Sequence, residues 1–368
     1  MLLKNLPSIL LAGFLLFNTS ARVQAQEEHQ QGDHPIENHE NEKEGFNTGD
    51  FIFDHIKDHY SWHILTYKGH HISIPLLIIA KTHENGWKVF SSGKLGHGHV
   101  HNGLKIPEKG DYKNELVEVN QDGKIIGPPV IDISITKNVL AIFASAIILV
   151  LLFTSVAKAY QRREGQAPKG LQSLLEPLIL FIRDDIAKAS IGEKHYERFA
   201  PYLLSIFFFI FINNILGLVP FFPGGANVTG NITVTMALAL FTFFVTTING
   251  NKNYWKHIFN ATGVPWWLKV PLPLMPFIEL VGVFIKPFVL MVRLFANISA
   301  GHIVTLGFFS LIFIFGNMND TAGYLVSPLS ILFTIFMTFL ELLVAFIQAY
   351  VFTILSAIYF GMAVETHH

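Results

Sequence analysis

Cysteine is absent from the 368-residue chain, so neither a disulfide framework nor a thiolate metal site can form. Charge is scarce too: Asp, Glu, Lys and Arg make up 14% of residues, against about 25% in a soluble domain. The two signs nearly cancel, leaving a formal net charge of −1, and no basic surplus points to nucleic acid. No phosphate-binding glycine loop and no nucleophile–base arrangement stands out, which argues against a soluble enzyme. The chain is rich in hydrocarbon instead: 51% of residues are hydrophobic and 34 are phenylalanine.

The shortage of charge is uneven. Residues 26–135 are polar, while most of 139–363 is apolar. This predicts an all-α polytopic membrane protein, with about five membrane-embedded helices plus an interfacial helix, and a small β-rich, His-rich exported N-terminal domain. Residues 1–25 read as a signal peptide: Lys4 is the positive flank, Ile9 to Phe17 a short apolar core, and Val23-Gln24-Ala25 a small-residue cleavage site. Residues 26–50 lack periodicity and are expected to be disordered. Short apolar alternations at Trp62–Tyr67, Ile72–Ile79, Trp87–Phe90 and Ile125–Ile135 predict strands.

The exported region, 26–135, holds 12 of the 17 histidines. His97, His99 and His101 alternate, so on a strand they share one face; His55 and His59 share a face on a helix. Both patterns suit metal ligation, but no carboxylate stands at a telling spacing, which favours a solvated, proton-buffering surface.

The membrane domain, 136–368, opens with a span at Asn138–Ala157. Lys158, Arg162, Arg163 and Lys169 follow it and place that end in the cytoplasm, which agrees with an exported N-terminus. Leu171–Ala189 carries Glu176, Arg183, Asp184 and Asp185 and is expected to lie along the interface. Phe199–Val219 and Ile232–Ile248 are further spans. Two apolar runs then close the chain, Phe277–Phe315 and Leu325–Ala363. Each would be roughly 58 Å long as one helix, against a bilayer core of about 30 Å. Each is therefore either two spans or one strongly tilted helix.

Arg293 stands inside the first of these runs. Arginine keeps its proton under all ordinary conditions, and its burial in hydrocarbon costs at least a few kcal/mol. Glu279, Lys286, Arg293, Asn297 and Ala300 fall within about 40° of Arg293 on one helical face. In the second run Thr334, Glu341 and Gln348 recur every seven residues. The midpoint between Arg293 and Gln348, and that between His302 and Glu341, both fall between Asp320 and Ala322. That is inside the only polar break between the runs, 316–323. A helical hairpin closing there matches the depths of these polar residues. Two readings of Arg293 stay open on physics alone: an interfacial anchor that snorkels, or a mid-membrane cation in a tilted helix.

The strings KPFVLMVRLFANISAGH (286–302) and ELLVAFIQAYVFTILSAIYFGMA (341–363) resemble subunit a of F-type rotary ATP synthases, as do NNILGLVPF (213–221), Asn231-Ile232-Thr233 and Glu279. The resemblance covers about 138–363. It implies a long tilted hairpin against a rotating c-ring, with Arg293 at mid-membrane as the gate between two offset aqueous half-channels. It implies that Asn297 and Gln348 support Arg293, and that His302 and Glu341 form the outer proton relay. Glu279 would line the inner half-channel, and Asn231 the access path, if it is not a plain helix cap. Relatives often carry an acid at the position of Thr229, and some exchange the His and the acid of the relay. The implied partners are the c-ring, the peripheral-stalk subunit b and the rest of the complex, in a bacterial plasma (inner) membrane with the C-terminus cytoplasmic. No cofactor is implied, and the chain would be non-catalytic on its own. Competing classes are a secondary transporter, which predicts internal repeats, and an exported metal-binding module on an anchor, which predicts that Arg293 tolerates change.

Overall fold

Apolar and polar residues alternate through Leu77–Thr82, and in the computed structural model this segment is a strand with Ile78, Ala80 and Thr82 buried. The structure describes residues 47–67, 70–83, 86–108, 110–120, 122–219, 224–259 and 274–365. The expected signal peptide and residues 26–46 of the polar stretch lie outside them. The chain divides into two compact units. One joins the described residues up to Phe143 with parts of 219–227 and with 310–328; the other joins 144–218, the described residues of 228–309, and those from 329 onward.

The first unit begins with α1 (Thr48–Ile56) and continues through short strands: β1 (Ser61–Tyr67), β2 (His70–Pro75), β3 (Leu77–Thr82), β4 (Gly86–Ser91), β5 (Leu104–Lys105), β6 (Val117–Val119), β7 (Ile125–Gly127) and β8 (Ile131–Asp132). They pair as β1–β2, β4–β3–β8 and β5–β6–β7, all antiparallel. The apolar stretch Ile72–Ile79 is thus two strands rather than one. Pro75 has no N–H for a ladder, and beside it the Leu76 amide donates to Ser92 Oγ at 2.9 Å. Tyr60, Ile78, Ala80, Phe90, Leu95, Leu104 and Leu116 form the core, the inward halves of the alternating strands.

Neither histidine pattern survives folding. α1 ends at Ile56, so His59 lies off the helix that carries His55. His97 lies in a 3₁₀ turn, Ser92–Gly98, with His99 just beyond it, while His101 bridges back to Leu104. Three glycines in this stretch favour turning over extension, so the three histidines share no strand face. Among the described residues no group of three His, Asp or Glu side chains could hold a metal ion.

The first membrane helix, α2 (Lys137–Arg162), is fastened to this unit at its start. The Asn138 amide donates to Asp58 Oδ1 at 2.9 Å, and the Lys137 amide to the His59 carbonyl at 2.8 Å. Two of the four N–H groups that any helix start leaves unpaired are satisfied from far away in sequence.

In the second unit α2 is followed by α3 (Leu171–Leu180), which continues as a π-helix (Phe181–Lys188) and a last turn, Ala189–Ile191. Arg183 and Asp184 pair on this segment at 2.8 Å, and that bond holds the Asp184 carboxyl below the usual carboxylate range. Then come α4 (Tyr196–Leu218), α5 (Ile232–Ile248), α6 (Lys252–Phe259), α7 (Leu274–Met318) and α8 (Asp320–Val364). Helices α2, α4, α7 and α8 are long and apolar enough to cross a membrane; α5 and α6 form a pair bent by 103°.

α7 and α8 are each one continuous helix of 45 residues, despite Pro287 and Pro328. This answers the question of one helix or two spans. The expected polar break shrinks to Asn319, whose Oδ1 accepts the Thr321 amide at 3.1 Å and so caps α8. A Cβ on Gly323 would lie 2.8 Å from Gly316 Cα, so two glycines permit the close passage beside the turn.

Packing of the second unit is aromatic. Phe360 stacks on Phe199 at 4.9 Å and meets Tyr202 edge-on, and Phe208 meets Phe153 at 5.0 Å. Ala345, Ala349, Phe352, Ser356 and Phe360 recur at helical spacing and bury one stripe of α8. At its end a Cβ on Gly361 would lie 2.1 Å from the Ser190 carbonyl oxygen. Backbone cannot yield as a flexible side chain does. Gly361→Ala is therefore expected to destabilise the membrane unit by about 1–3 kcal/mol, the usual cost of overpacking. Thermal unfolding in detergent measures it, with Gly282→Ala, a position with open space around it, as the comparison.

Candidate functional site

Helical periodicity gives α7 two unlike faces. Leu290, Leu294 and Ile298 are buried, each at 8% exposure or less. Val292, Arg293, Ala296, Asn297 and Ala300 are exposed on the side away from them. Arg293 therefore lies on an open face flanked by small side chains. Among the described residues no carboxylate pairs with it. Tyr359 of α8 lies within its electrostatic range.

The hairpin brings a different set together. Glu341 of α8 is 9% exposed, and the Thr305 hydroxyl of α7 donates to its Oε1 at 2.9 Å. A Cβ on Gly301 would come within 3.0 Å of the same oxygen. Glycine at 301 thus makes room for the carboxyl group, and Thr305, one turn on, holds it. His302 stands between these two on the same helix. Further along, Phe308 stacks on Phe333 at 5.2 Å, and the Ser330 hydroxyl donates to the Phe308 carbonyl. Toward the other end Lys286 Nζ sits 5.5 Å from the Tyr359 ring. The midpoints of these pairs all fall between Asn319 and Gly323, the register expected of a hairpin.

Gln348 is 6% exposed, on the buried stripe of α8. No hydrogen bond joins it to Arg293 among the described residues. One turn before it on the same helix, the Ala345 carbonyl accepts from Asn214 Nδ2 at 3.1 Å. The Oδ1 of Asn214 accepts from the Thr229 hydroxyl at 2.5 Å. α4, the loop before α5, and α8 are therefore tied by one buried amide. Thr229 is 1% exposed and already committed to this link.

Asn231 caps α5: its Oδ1 accepts the Thr233 amide at 2.9 Å. Its neighbour, the Gly230 carbonyl, accepts from Ser299 of α7 at 3.4 Å. Glu279 is half-buried near the start of α7, 4.0 Å from His257 Nδ1. Deeper in this unit Tyr202, Thr242 and Ser356 join α4, α5 and α8 through their hydroxyls, at 2.9 and 3.5 Å.

The sequence points to Glu341 but not to Thr305, and it gives Asn214, within the string at 213–221, no task. The hairpin midpoints carried a usable signal for the first, since they place Glu341 opposite the stretch Gly301–Thr305. No such signal existed for Asn214 and Thr229, whose bond links separate elements.

The family described as ATP synthase A chain matches residues 139–361, and a domain of unknown function matches residues 51–139. The chain is 45% identical over 240 residues to ATP synthase subunit a of Chloroherpeton thalassium, covering 63% of this chain and 67% of that protein. It is 45% identical over 239 residues to ATP synthase subunit a 2 of Chlorobaculum tepidum, covering 63% and 64%. With ATP synthase subunit a of Chlorobium phaeobacteroides strain BS1 it shares 41% over 260 residues, covering 68% and 72%. It spans about two thirds of the length of these relatives. The four helices among the described residues that are long and apolar enough to cross a membrane, the closing hairpin and these matches together give one conclusion: the chain belongs to the ATP synthase subunit a family and is a multi-pass membrane protein.

Proposed function

We propose that this chain carries protons through the membrane sector of a rotary ATP synthase, with Arg293 as the gate between two offset half-channels. The observation that carries this reading is the open, unpaired guanidinium on α7. A permanent cation on an apolar face needs an anion from outside the chain. A carboxyl group on each subunit of a rotating c-ring meets that need. In lipid only its protonated form is cheap, and beside Arg293 its ionised form becomes cheap. Ala296 and Ala300 flank Arg293 without bulk and allow a partner helix close approach.

The division of labour follows from charge. A fixed cation repels a proton moving directly between the half-channels, so protons must ride the ring, and flow becomes rotation. Glu341 and His302 form the outer relay; Thr305 orients the carboxyl group. Glu279 lines the inner approach, with His257 beside it. Asn297, one turn from Arg293, and Gln348 on α8 order water or the guanidinium. Asn231 serves chiefly as a helix cap. The N-terminal region lies outside the cytoplasm, the C-terminus is cytoplasmic, and subunit b completes the stator in a bacterial plasma membrane.

Arg293→Ala is expected to reduce ATP-driven proton pumping in inverted vesicles to background while the complex still assembles. Near-normal coupled pumping in an intact complex would defeat the gate. Glu341→Gln keeps shape and the Thr305 bond but removes the titrating group. It should slow passive proton conduction by about 100-fold, the low end for a proton-transfer residue, without uncoupling. An unchanged flux would remove Glu341 from the path.

A further inference from the structure

The cytoplasmic end of α2 and the start of α3 enclose a cavity of about 330 Å³ that the transport reading does not use. Its lining includes Lys158, Arg162, Arg163 and Lys169, with Ser155 and Gln172. Helical spacing explains the convergence: Ser155, Lys158 and Arg162 lie on one face of α2, and the turn after Arg163 brings Lys169 back over them. Among the described residues no carboxylate pairs with any of the four cations. Glu164, the nearest acid in sequence, is exposed, and Glu176, whose Oε2 is buried without a hydrogen-bond partner, faces Tyr160. Two polar atoms here are buried without a hydrogen-bond partner, Arg163 Nη1 and Gln172 Oε1. A guanidinium N–H left unpaired costs free energy, which rotation of Arg163 toward a charged acceptor in the cavity would recover.

We propose that this cavity binds a phosphate group, as presented by the headgroup of an anionic phospholipid in the cytoplasmic leaflet. Arg163 supplies the planar donor pair and Lys158, Arg162 and Lys169 the surrounding positive charge. Gln172, whose oxygen cannot donate, turns its amide nitrogen to a remaining oxygen. The position favours a lipid over a soluble phosphate. The cavity opens where the apolar span of α2 ends and the amphipathic α3 begins, the depth of the headgroups. Leu171 and Val156 in its lining give an acyl chain an apolar wall.

The test uses the purified complex, exposed to mixed micelles of equal phosphatidylglycerol and phosphatidylcholine and read by native mass spectrometry. Wild type is expected to retain phosphatidylglycerol selectively. The double variant Arg163→Gln with Lys169→Gln should lose that retention by roughly tenfold or more, as expected from two lost charge-assisted bonds. Arg163→Lys with Lys169→Arg keeps the charges and should keep most of the retention. Competition separates the two sources of phosphate: displacement by inorganic phosphate, but not by chloride at matched ionic strength, assigns the cavity to a free phosphate. Persistence of the lipid assigns it to the headgroup. Equal retention by wild type and the glutamine variant overturns the proposal. So does a glutamine variant that sheds a stalk subunit while keeping the lipid, since the cavity would then hold an acidic protein segment.

Discussion

Water is missing from the bilayer core, and that absence governs the structure of the membrane domain. Every backbone group there must pair within its own helix, and every polar side chain must find a partner or a use. The helices meet the first demand by length alone. The second sorts the polar residues into groups. Thr242, Ser356, Asn214 and Thr229 are consumed in joining helices. Glu341 is held by Thr305 and seated against Gly301. Arg293 presents a full charge on an open apolar face, and among the described residues no carboxylate pairs with it. What cannot be satisfied inside the chain marks where the chain is incomplete.

The same constraint explains why small residues recur where helices cross. Between apolar helices in lipid no water is released by contact, so close backbone approach and polar bonds replace the ordinary hydrophobic drive. Gly361 against Ser190, Gly323 against Gly316, and Gly301 against Glu341 are three cases. In the last, glycine makes space for a charge-bearing group rather than for another backbone. The large aromatic content serves the rest of the packing, with Phe199, Phe208 and Phe360 filling what the small residues leave between helices.

How legible this was depended on how far apart in sequence the determinants lie. Apolar run length and the positions of Glu341, His302 and Arg293 were enough to place the hairpin turn within a few residues of Asn319. The β-region was readable as strands, because period-two alternation is local, but its breaks were not. Pro75 ended one strand where hydrophobicity continued, and the glycines around His97 and His99 turned a presumed strand into a 3₁₀ turn. The Asn214–Thr229 link was invisible because the two residues lie on separate elements, a helix and the loop before α5, and no spacing relates them.

Thr229 bears on how the proposed outer path is built. At this position the chain has a hydroxyl locked to Asn214. A carboxyl group there would add a titrating site close to the loop before α5; the hydroxyl instead fixes that loop to α4 and, through Asn214, to the Ala345 carbonyl on α8. In the proposed path the burden of proton transfer then falls on the pair His302 and Glu341, one imidazole and one carboxyl on the two helices of the hairpin. A proton needs both a donor and an acceptor but is indifferent to which helix supplies which, so pairing, rather than the identity of either position, is what the proposed relay requires.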